Sequence, residues 1–252
     1  EHHGVKALAL GRGAGDGGRD TCRFVSRFAR NLESAKLPAI SFNDSLASHY
    51  ANSKTGRAAE PSLDTNVRAA AFNARRLQDP LREAVKVDPR QFGVGHHPQD
   101  VNPRRLREQL TATVAACVNE VGVDLNSATG DLLRYVAGIQ PGTADNILAY
   151  RTAHGGFKNR QELLNVDGIG PKIFEQCAGF LRVNGGEQPL DATRMHPEVY
   201  TAIRRMAAAA KTTEAELVGN REALRDIDLK GFTYDIVGLL TLRDARAALQ
   251  RP

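Results

Sequence analysis

The sequence predicts a mixed fold, with a partial α/β layer over residues 1–100 followed by an all-α remainder. Short apolar runs alternate with helical patterns in the N-terminal region, whereas only helical spacing remains beyond Asn102. Within this helical remainder, a single construction, an apolar helix end, a Gly-x-x turn and a new helix, occurs twice. We therefore predict four segments: an α/β domain (1–100), a linker helix (101–122), the repeated helical unit (123–185) and a helical connector (186–252).

The elements of the first segment follow from patterning. Residues 5–10 and 37–42 are apolar runs that predict strands, and residues 20–32 carry Cys22, Val25, Phe28 and Leu32 at helical spacing. Residues 50–61 are polar and hold a Gly and a Pro, which predicts a loop. A helix over 63–87, interrupted near Asp79–Pro80, and a short edge strand at 93–95 complete the layer. The strand–helix order indicates a mostly parallel sheet whose few strands leave an open edge.

A glycine-rich stretch over residues 11–18 follows the first strand. It lacks the correctly spaced third Gly and the downstream acidic residue of a dinucleotide fingerprint. We interpret it as a loop carrying Arg12 and Arg19, and we predict no cofactor.

The helical remainder has clear boundaries. Apolar positions from Leu106 to Val118 predict the linker helix, and residues 184–186 predict a hinge. His196-Pro197-Glu198 opens one helix, Thr213 and Glu216 have capping-box spacing, and residues 239–249 form a final amphipathic helix.

The second copy of the repeated construction spans residues 163–174. Gly168 and Gly170 permit backbone geometry that a Cβ would obstruct, and Ile169 fills the space between two helices. Pro171 suits a first helical position, and Lys172 adds a cation beside the exposed amide donors of a helix start. This is the helix-hairpin-helix pattern, which holds a nucleic-acid backbone without reading bases.

The first copy has Gln140 in place of the second glycine, so this hairpin is expected to bind phosphate less well. Residues 155–163 join the two copies into a tandem unit. The alternative interpretation keeps the fold and drops the ligand, because such units also act as spacers and protein contacts. The residues predicted to contact nucleic acid are Gly138, Ile139, Gln140, Pro141, Gly142, Arg151, Lys158, Arg160, Gly168, Ile169, Gly170, Pro171 and Lys172.

Amino-acid composition indicates which partners, compartment and metal sites to expect. The net charge of +5 and the pI near 9.3 suit a polyanionic partner, and 26 of the 34 basic residues are Arg, which also fits a GC-rich genome. The absence of a long apolar run excludes a membrane-spanning helix, and we predict no membrane partner. Cys22, Cys117 and Cys177 are widely separated and predict buried thiols in a reducing intracellular compartment, with no zinc site.

Several motifs together resemble the Tex family of bacterial transcription accessory proteins. They are residues 75–81, 93–95, 100–102, 117–119, 121–126, 174–182, 189–191 and 196–198, in the family's order. The resemblance implies a ribonuclease-H-like domain, a tandem helix-hairpin-helix unit and a helical connector. Relative to that pattern, we expect the family's N-terminal helical region, the first strands of its sheet and its C-terminal OB-type domain to be missing.

The missing first strand would carry a carboxylate that anchors a catalytic metal. Asp44 and Asp100 stand where acidic residues contribute to a two-metal site, but the set is incomplete without it. His96-His97 and His2-His3 are not expected to hold a metal. We predict no catalytic residue, no metal site and no enzymatic activity.

Two functional hypotheses remain. The first is a sequence-independent nucleic-acid-binding module, with RNA favoured over DNA. The second is a non-catalytic structural subunit of a ribonucleoprotein assembly, such as an organellar ribosome, in which other protein chains cover the open sheet edge. The compartment is then the bacterial cytoplasm or an organelle such as the mitochondrion.

Overall fold

The computed structural model describes residues 4–13, 16–31, 37–92, 100–225, 227–234 and 237–250. The chain forms two compact units, Glu1–Val114 and Ala115–Pro252. No helix in the described ranges combines the length and the apolar character that a membrane crossing requires.

The first unit is built on two parallel strands. They pair in register from Leu8 opposite Ala39 to Arg12 opposite Asn43, which confirms the parallel α/β arrangement. The predicted edge strand at 93–95 lies outside the described residues. The elements of this unit are β1 (Leu8–Arg12), α1 (Asp16–Arg30), β2 (Ala39–Asn43), α2 (Ser45–Asn52), α3 (Lys54–Ala59), α4 (Thr65–Gln78) and α5 (Pro80–Ala84), followed by a 3₁₀ turn (Pro89–Phe92).

The predicted loop over residues 50–61 is wrong, because α2 and α3 occupy most of it. Tyr50 is buried and stacks on Phe72, with ring centroids 4.7 Å apart. A Cβ on Gly56 would collide with the Tyr50 carbonyl oxygen, so this glycine permits close packing and does not break a helix. The Ser53 hydroxyl caps α3 by accepting a hydrogen bond from the Gly56 amide at 2.9 Å.

The helix predicted over residues 20–32 begins earlier, at Asp16. Gly11 and Arg12 belong to β1, so much of the predicted glycine-rich loop is regular structure. Cys22 is buried as expected, whereas the Phe28 side chain is 61% exposed. The interruption near residue 79 is confirmed: the Asp79 side chain caps α5, and Pro80 takes its first position.

The second unit holds the hairpins and the connector. Two short parallel strands, with Val123 opposite Leu181, join the entry and exit of the tandem hairpins. Its elements, with the helix α6 that leads into it, are α6 (Pro103–Val121), β3 (Val123–Asp124), α7 (Gly130–Leu133), α8 (Pro141–His154), α9 (Pro171–Cys177), β4 (Leu181–Arg182), α10 (Tyr200–Ala209), α11 (Glu214–Leu217), α12 (Arg221–Arg225) and α13 (Leu239–Gln250).

Local signals in the connector predicted its helix boundaries well. Thr213 and Glu216 form the capping box at the start of α11, and the predicted final helix is α13. Apolar residues of these helices, including Ile203, Met206 and Leu242, form one buried core.

Two further predictions for this unit need correction. The predicted hinge at residues 184–186 is a packed turn, because a Cβ on Gly186 would collide with the Lys158 carbonyl oxygen. The Glu187 amide also donates to that oxygen at 2.8 Å. On α6, Val118 is fully buried but Cys117 is exposed, so only two of the three thiols are buried.

Candidate nucleic-acid interface

The two hairpins repeat one another at a spacing of 30 residues. Gly138 and Gly168 have φ of +81° and +84°, a left-handed conformation that disfavours any side chain. The next residue closes the same turn in each copy: the Ile139 amide donates to the Val136 carbonyl at 3.1 Å, and its counterpart Ile169 donates to Val166 at 3.0 Å. The turn prediction is therefore confirmed in both copies.

Each turn leads directly into a helix with a proline in its first position. Gln140 and Gly170 are the N-cap residues of α8 and α9, and neither helix receives a side-chain cap at this end. The first amides of a helix have no partner within it, and Gly142 and Lys172, which carry two of these amides, are exposed. In the first copy, Gln140 occupies the position that Gly170 has in the second. The N-cap backbone is nearly the same in both copies, with ψ of 164° at Gln140 and 175° at Gly170.

The hairpins pack crosswise on one another. The Asn146 amide of α8 donates to the Asp167 carbonyl beside the second turn at 2.9 Å. The residue 30 positions later, Gln176 of α9, lies against Gly138 of the first turn, where an added Cβ would approach its Cβ to 3.0 Å. This reciprocal contact relates the copies by an approximate twofold axis.

Packing also fixes the two isoleucines and the first turn. Ile139 and Ile169 are both buried, as predicted for Ile169, so their side chains do not reach an external ligand. Asn119 of α6 brackets the first turn, donating to the Tyr135 carbonyl at 3.2 Å and accepting from the Ala137 amide at 3.1 Å.

The glycines at the helix starts differ in kind from those in the turns. An added Cβ would meet nothing within 4 Å at Gly142 or Gly170, and both residues are exposed. Gly170 has φ of −88°, which any residue adopts. Neither packing inside the protein nor a positive φ therefore requires glycine at these two positions, whereas the φ of +84° does so at Gly168.

Charge is nearly balanced around the hairpins. Lys158 and Lys172 are exposed, but so are Asp145, Asp167 and Glu175. Residues 130–180 contain five Lys or Arg and five Asp or Glu. Binding of a polyanion here would consequently depend on oriented backbone amides more than on net charge.

Arg160, predicted to contact nucleic acid, lies in the interior and is 1% exposed. Its Nε donates to the Leu181 carbonyl at 2.6 Å, and its Nη1 donates to the Tyr200 hydroxyl at 2.8 Å. Burial lowers the pKa of this guanidinium, an effect opposed by Tyr200 and by the nearby Asp191 carboxylate. We therefore remove Arg160 from the interface and assign it a structural role.

Arg151 also makes internal contacts. Its Nη1 donates to the carbonyls of Leu125 and Ala128, at 3.1 and 2.7 Å, and the side chain is half-buried. The predicted basic contacts thus reduce to Lys158 and Lys172. Sequence reasoning missed Asn119, Asn146 and Gln176 as determinants of the turns; the 30-residue spacing was the available signal for the last two.

The carboxylates considered for catalysis do not converge in the described ranges of the chain. Asp44 is half-buried at the start of α2, where its Oδ1 accepts a hydrogen bond from Asn73 Nδ2 at 2.7 Å. Asp100 is exposed. Within the same ranges no group of three His, Cys, Asp or Glu side chains is placed to hold a metal ion. His2-His3 and His96-His97 lie outside them.

Three family matches cover most of the chain. Residues 1–78 match the Tex protein YqgF-like domain, residues 118–182 a helix-hairpin-helix motif, and residues 188–252 an HHH domain. The segment predicted as a helical connector therefore matches an HHH domain of its own.

Relatives with similar sequences point the same way. The chain is 43% identical over 252 residues to "Transcriptional accessory protein Tex" of Neisseria gonorrhoeae, covering all of this chain and 33% of that protein. It is 42% identical over 252 residues to "Protein YhgF" of Escherichia coli, covering 32% of it. It is 46% identical over 138 residues to human "S1 RNA-binding domain-containing protein 1", covering 55% of this chain and 14% of that protein. The chain thus spans about a third of the length of its bacterial relatives.

Proposed function

Because this chain belongs to the Tex family of transcriptional accessory proteins, we propose that its tandem hairpins bind the sugar–phosphate backbone of nucleic acid without reading base sequence. The observation that carries the proposal is the open backbone at the two helix starts. Gly142 and Gly170 are exposed glycines that no internal contact requires, so a close external approach explains them. Phosphate oxygens are suitable acceptors for amides oriented in this way.

The two hairpins would act on the same ligand in different ways. The second presents Gly170 and the cation of Lys172, whereas the first presents Gln140 and Gly142 without a cation at the equivalent position. We therefore infer that the second hairpin contributes the larger share of the affinity.

We infer RNA as the ligand in preference to DNA. The support is the name of the human protein to which 138 residues of this chain align, "S1 RNA-binding domain-containing protein 1". We also propose that this segment does not cleave the strand it binds, since Asp44 is engaged by Asn73 and Asp100 is exposed.

The buried thiols of Cys22 and Cys177 are consistent with a reducing intracellular setting.

The test is fluorescence anisotropy with labelled single-stranded RNAs of unrelated sequence and with DNA strands of the same sequences. Gly170→Val and Lys172→Glu should each weaken binding of all the RNAs alike. Lys172→Glu should also lower the slope of log K against log salt by about one. Lys230→Glu, a charge reversal at an exposed lysine elsewhere, is the matched control.

Unchanged affinity of both Gly170→Val and Lys172→Glu would reject the proposal that the hairpins bind the nucleic-acid backbone, which we call the hairpin clamp. The hairpins would then act as a protein-contacting scaffold. Equal binding of RNA and DNA would reject the RNA preference alone. Magnesium-dependent cleavage of the RNA that Asp44→Asn abolishes would reject the non-catalytic proposal.

A further inference from the structure

The first unit carries a concentrated basic surface on α1 and the adjoining strands. We call it the arginine groove, a cleft of about 550 Å³. Its lining residues include Arg12, Arg19, Arg23, Arg27, Arg30 and Ser41.

Helical geometry aligns these arginines. Arg19, Arg23, Arg27 and Arg30 follow one another at intervals of four, four and three residues, so they lie on one face of α1. Four residues of helix advance about 6 Å, which gives a row of guanidinium groups at regular spacing. A ligand with regularly spaced negative charges matches such a row.

Nearby carboxylates compensate only a fraction of this charge. Arg19 contacts Asp16 at 2.6 Å and Arg23 contacts Asp20 at 3.2 Å, both in exposed pairs of the kind that contributes little energy. Among the described residues, Arg27 has no carboxylate partner. A polyanion can therefore engage the row without breaking a buried interaction.

A second feature of α1 is aromatic. Phe24 and Phe28 are 72% and 61% exposed, the largest such values for aromatic side chains in the described ranges. They are four residues apart and each directly follows an arginine of the row, so they form a parallel stripe beside it. Cys22 and Ala29, on the side of the helix that faces away from the two rings, are buried, and Cys22 also lines the arginine groove.

We propose that the arginine groove, with Phe24 and Phe28, binds single-stranded nucleic acid. Guanidinium groups hold successive phosphates, and unpaired bases stack on the two exposed rings. An acidic peptide would use the charges but has no need of a parallel aromatic stripe. Paired bases of a duplex do not offer their faces for stacking, which favours a single strand.

This inference goes beyond the hairpin clamp, because it places a second binding surface in the other unit. It holds or fails independently of Gly170 and Lys172. Full-length variants of the present chain can separate the two proposals.

The experiment measures anisotropy of a labelled single-stranded RNA of about 16 nucleotides, within the range of known single-strand sites. Arg23→Glu/Arg27→Glu should lower affinity at least tenfold and reduce the salt slope by about two. Phe24→Ala/Phe28→Ala should lower affinity about tenfold per stacked base and leave the salt slope unchanged. Arg221→Glu/Arg225→Glu, a double reversal on exposed α12, is the matched control and should bind like the parent.

Thermal melting checks that each variant stays folded, which the exposure of Arg23, Phe24, Arg27 and Phe28 leads us to expect. Parent-like binding by either groove variant overturns the proposal, as does displacement of the RNA by polyglutamate at equal charge. If only Gly170→Val and Lys172→Glu weaken binding, the arginine-groove proposal is rejected and the hairpin clamp is supported. A loss of RNA affinity that is confined to the groove variants supports the arginine-groove proposal and rejects the hairpin clamp.

Discussion

Arg160 and Tyr200 meet inside the second unit, where Arg160 Nη1 donates a hydrogen bond to the Tyr200 hydroxyl at 2.8 Å. The same hydroxyl donates to Asp191 Oδ1 at 2.6 Å, and the Arg160 amide donates to Asp191 Oδ2 at 2.6 Å. Burial raises the pKa of Tyr200 far above its usual range, so the hydroxyl stays protonated and acts as a donor. These three residues connect the linker between the hairpins to the connector that follows them.

This network predicts that Arg160 stabilises the fold. Arg160→Ala should lower the free energy of unfolding by about 3–5 kcal/mol, because it removes the cation beside the buried Asp191 carboxylate and leaves several buried carbonyls without their donor. Lys158→Ala, two residues away and exposed, should change it by less than about 0.5 kcal/mol. Urea denaturation of both variants decides the matter. Equal, small effects would contradict the structural role.

The network also predicts where the chain can be divided. A fragment of residues 115–252 should unfold cooperatively in urea, whereas residues 115–185 should not, because the shorter piece lacks Asp191 and Tyr200 and leaves Arg160 without its main partners. Circular dichroism during urea titration distinguishes the two. A sharp transition from the shorter fragment would show that the hairpins fold without the connector.

The glycines of the hairpins should respond to the same substitution with opposite signs. Gly168→Ala forces a side chain into φ of +84° and should destabilise the protein by about 1–2 kcal/mol. Gly142→Ala lies in the first turn of α8 with open space around it, and should stabilise by about 0.5–1 kcal/mol. Urea midpoints measure both. A shift of the same sign in the two variants would refute the distinction between turn glycines and helix-start glycines.

The three thiols should react very differently with a maleimide. Cys117 is exposed and should label within minutes at neutral pH. Burial raises the pKa of the Cys177 thiol to about 11, so it remains protonated as well as inaccessible. Mass spectrometry of the folded parent should show one rapid modification, and Cys117→Ser should show none. Full modification in urea provides the control, and rapid labelling of Cys177 in the folded protein would contradict its burial.

Much of the helical half was predictable because its signals are local. The turn at Gly168, the proline that opens α9 and the capping box at Thr213 each depend on a few adjacent residues. Such features are decided by backbone sterics and near-neighbour hydrogen bonds, which the order of residues specifies directly. The parallel pairing of β1 and β2 followed from the same kind of reasoning about alternating elements.

The roles of individual side chains were decided by tertiary contacts. Gly56 resembles a loop residue until the Tyr50 carbonyl is placed against it, and Arg160 resembles a phosphate ligand until Asp191 and Tyr200 surround it. Exposed Phe28 has the spacing of a core residue. Burial and partnership of this kind arise between residues far apart in the chain, so helical periodicity and residue type indicate which face a residue occupies but not what meets it there.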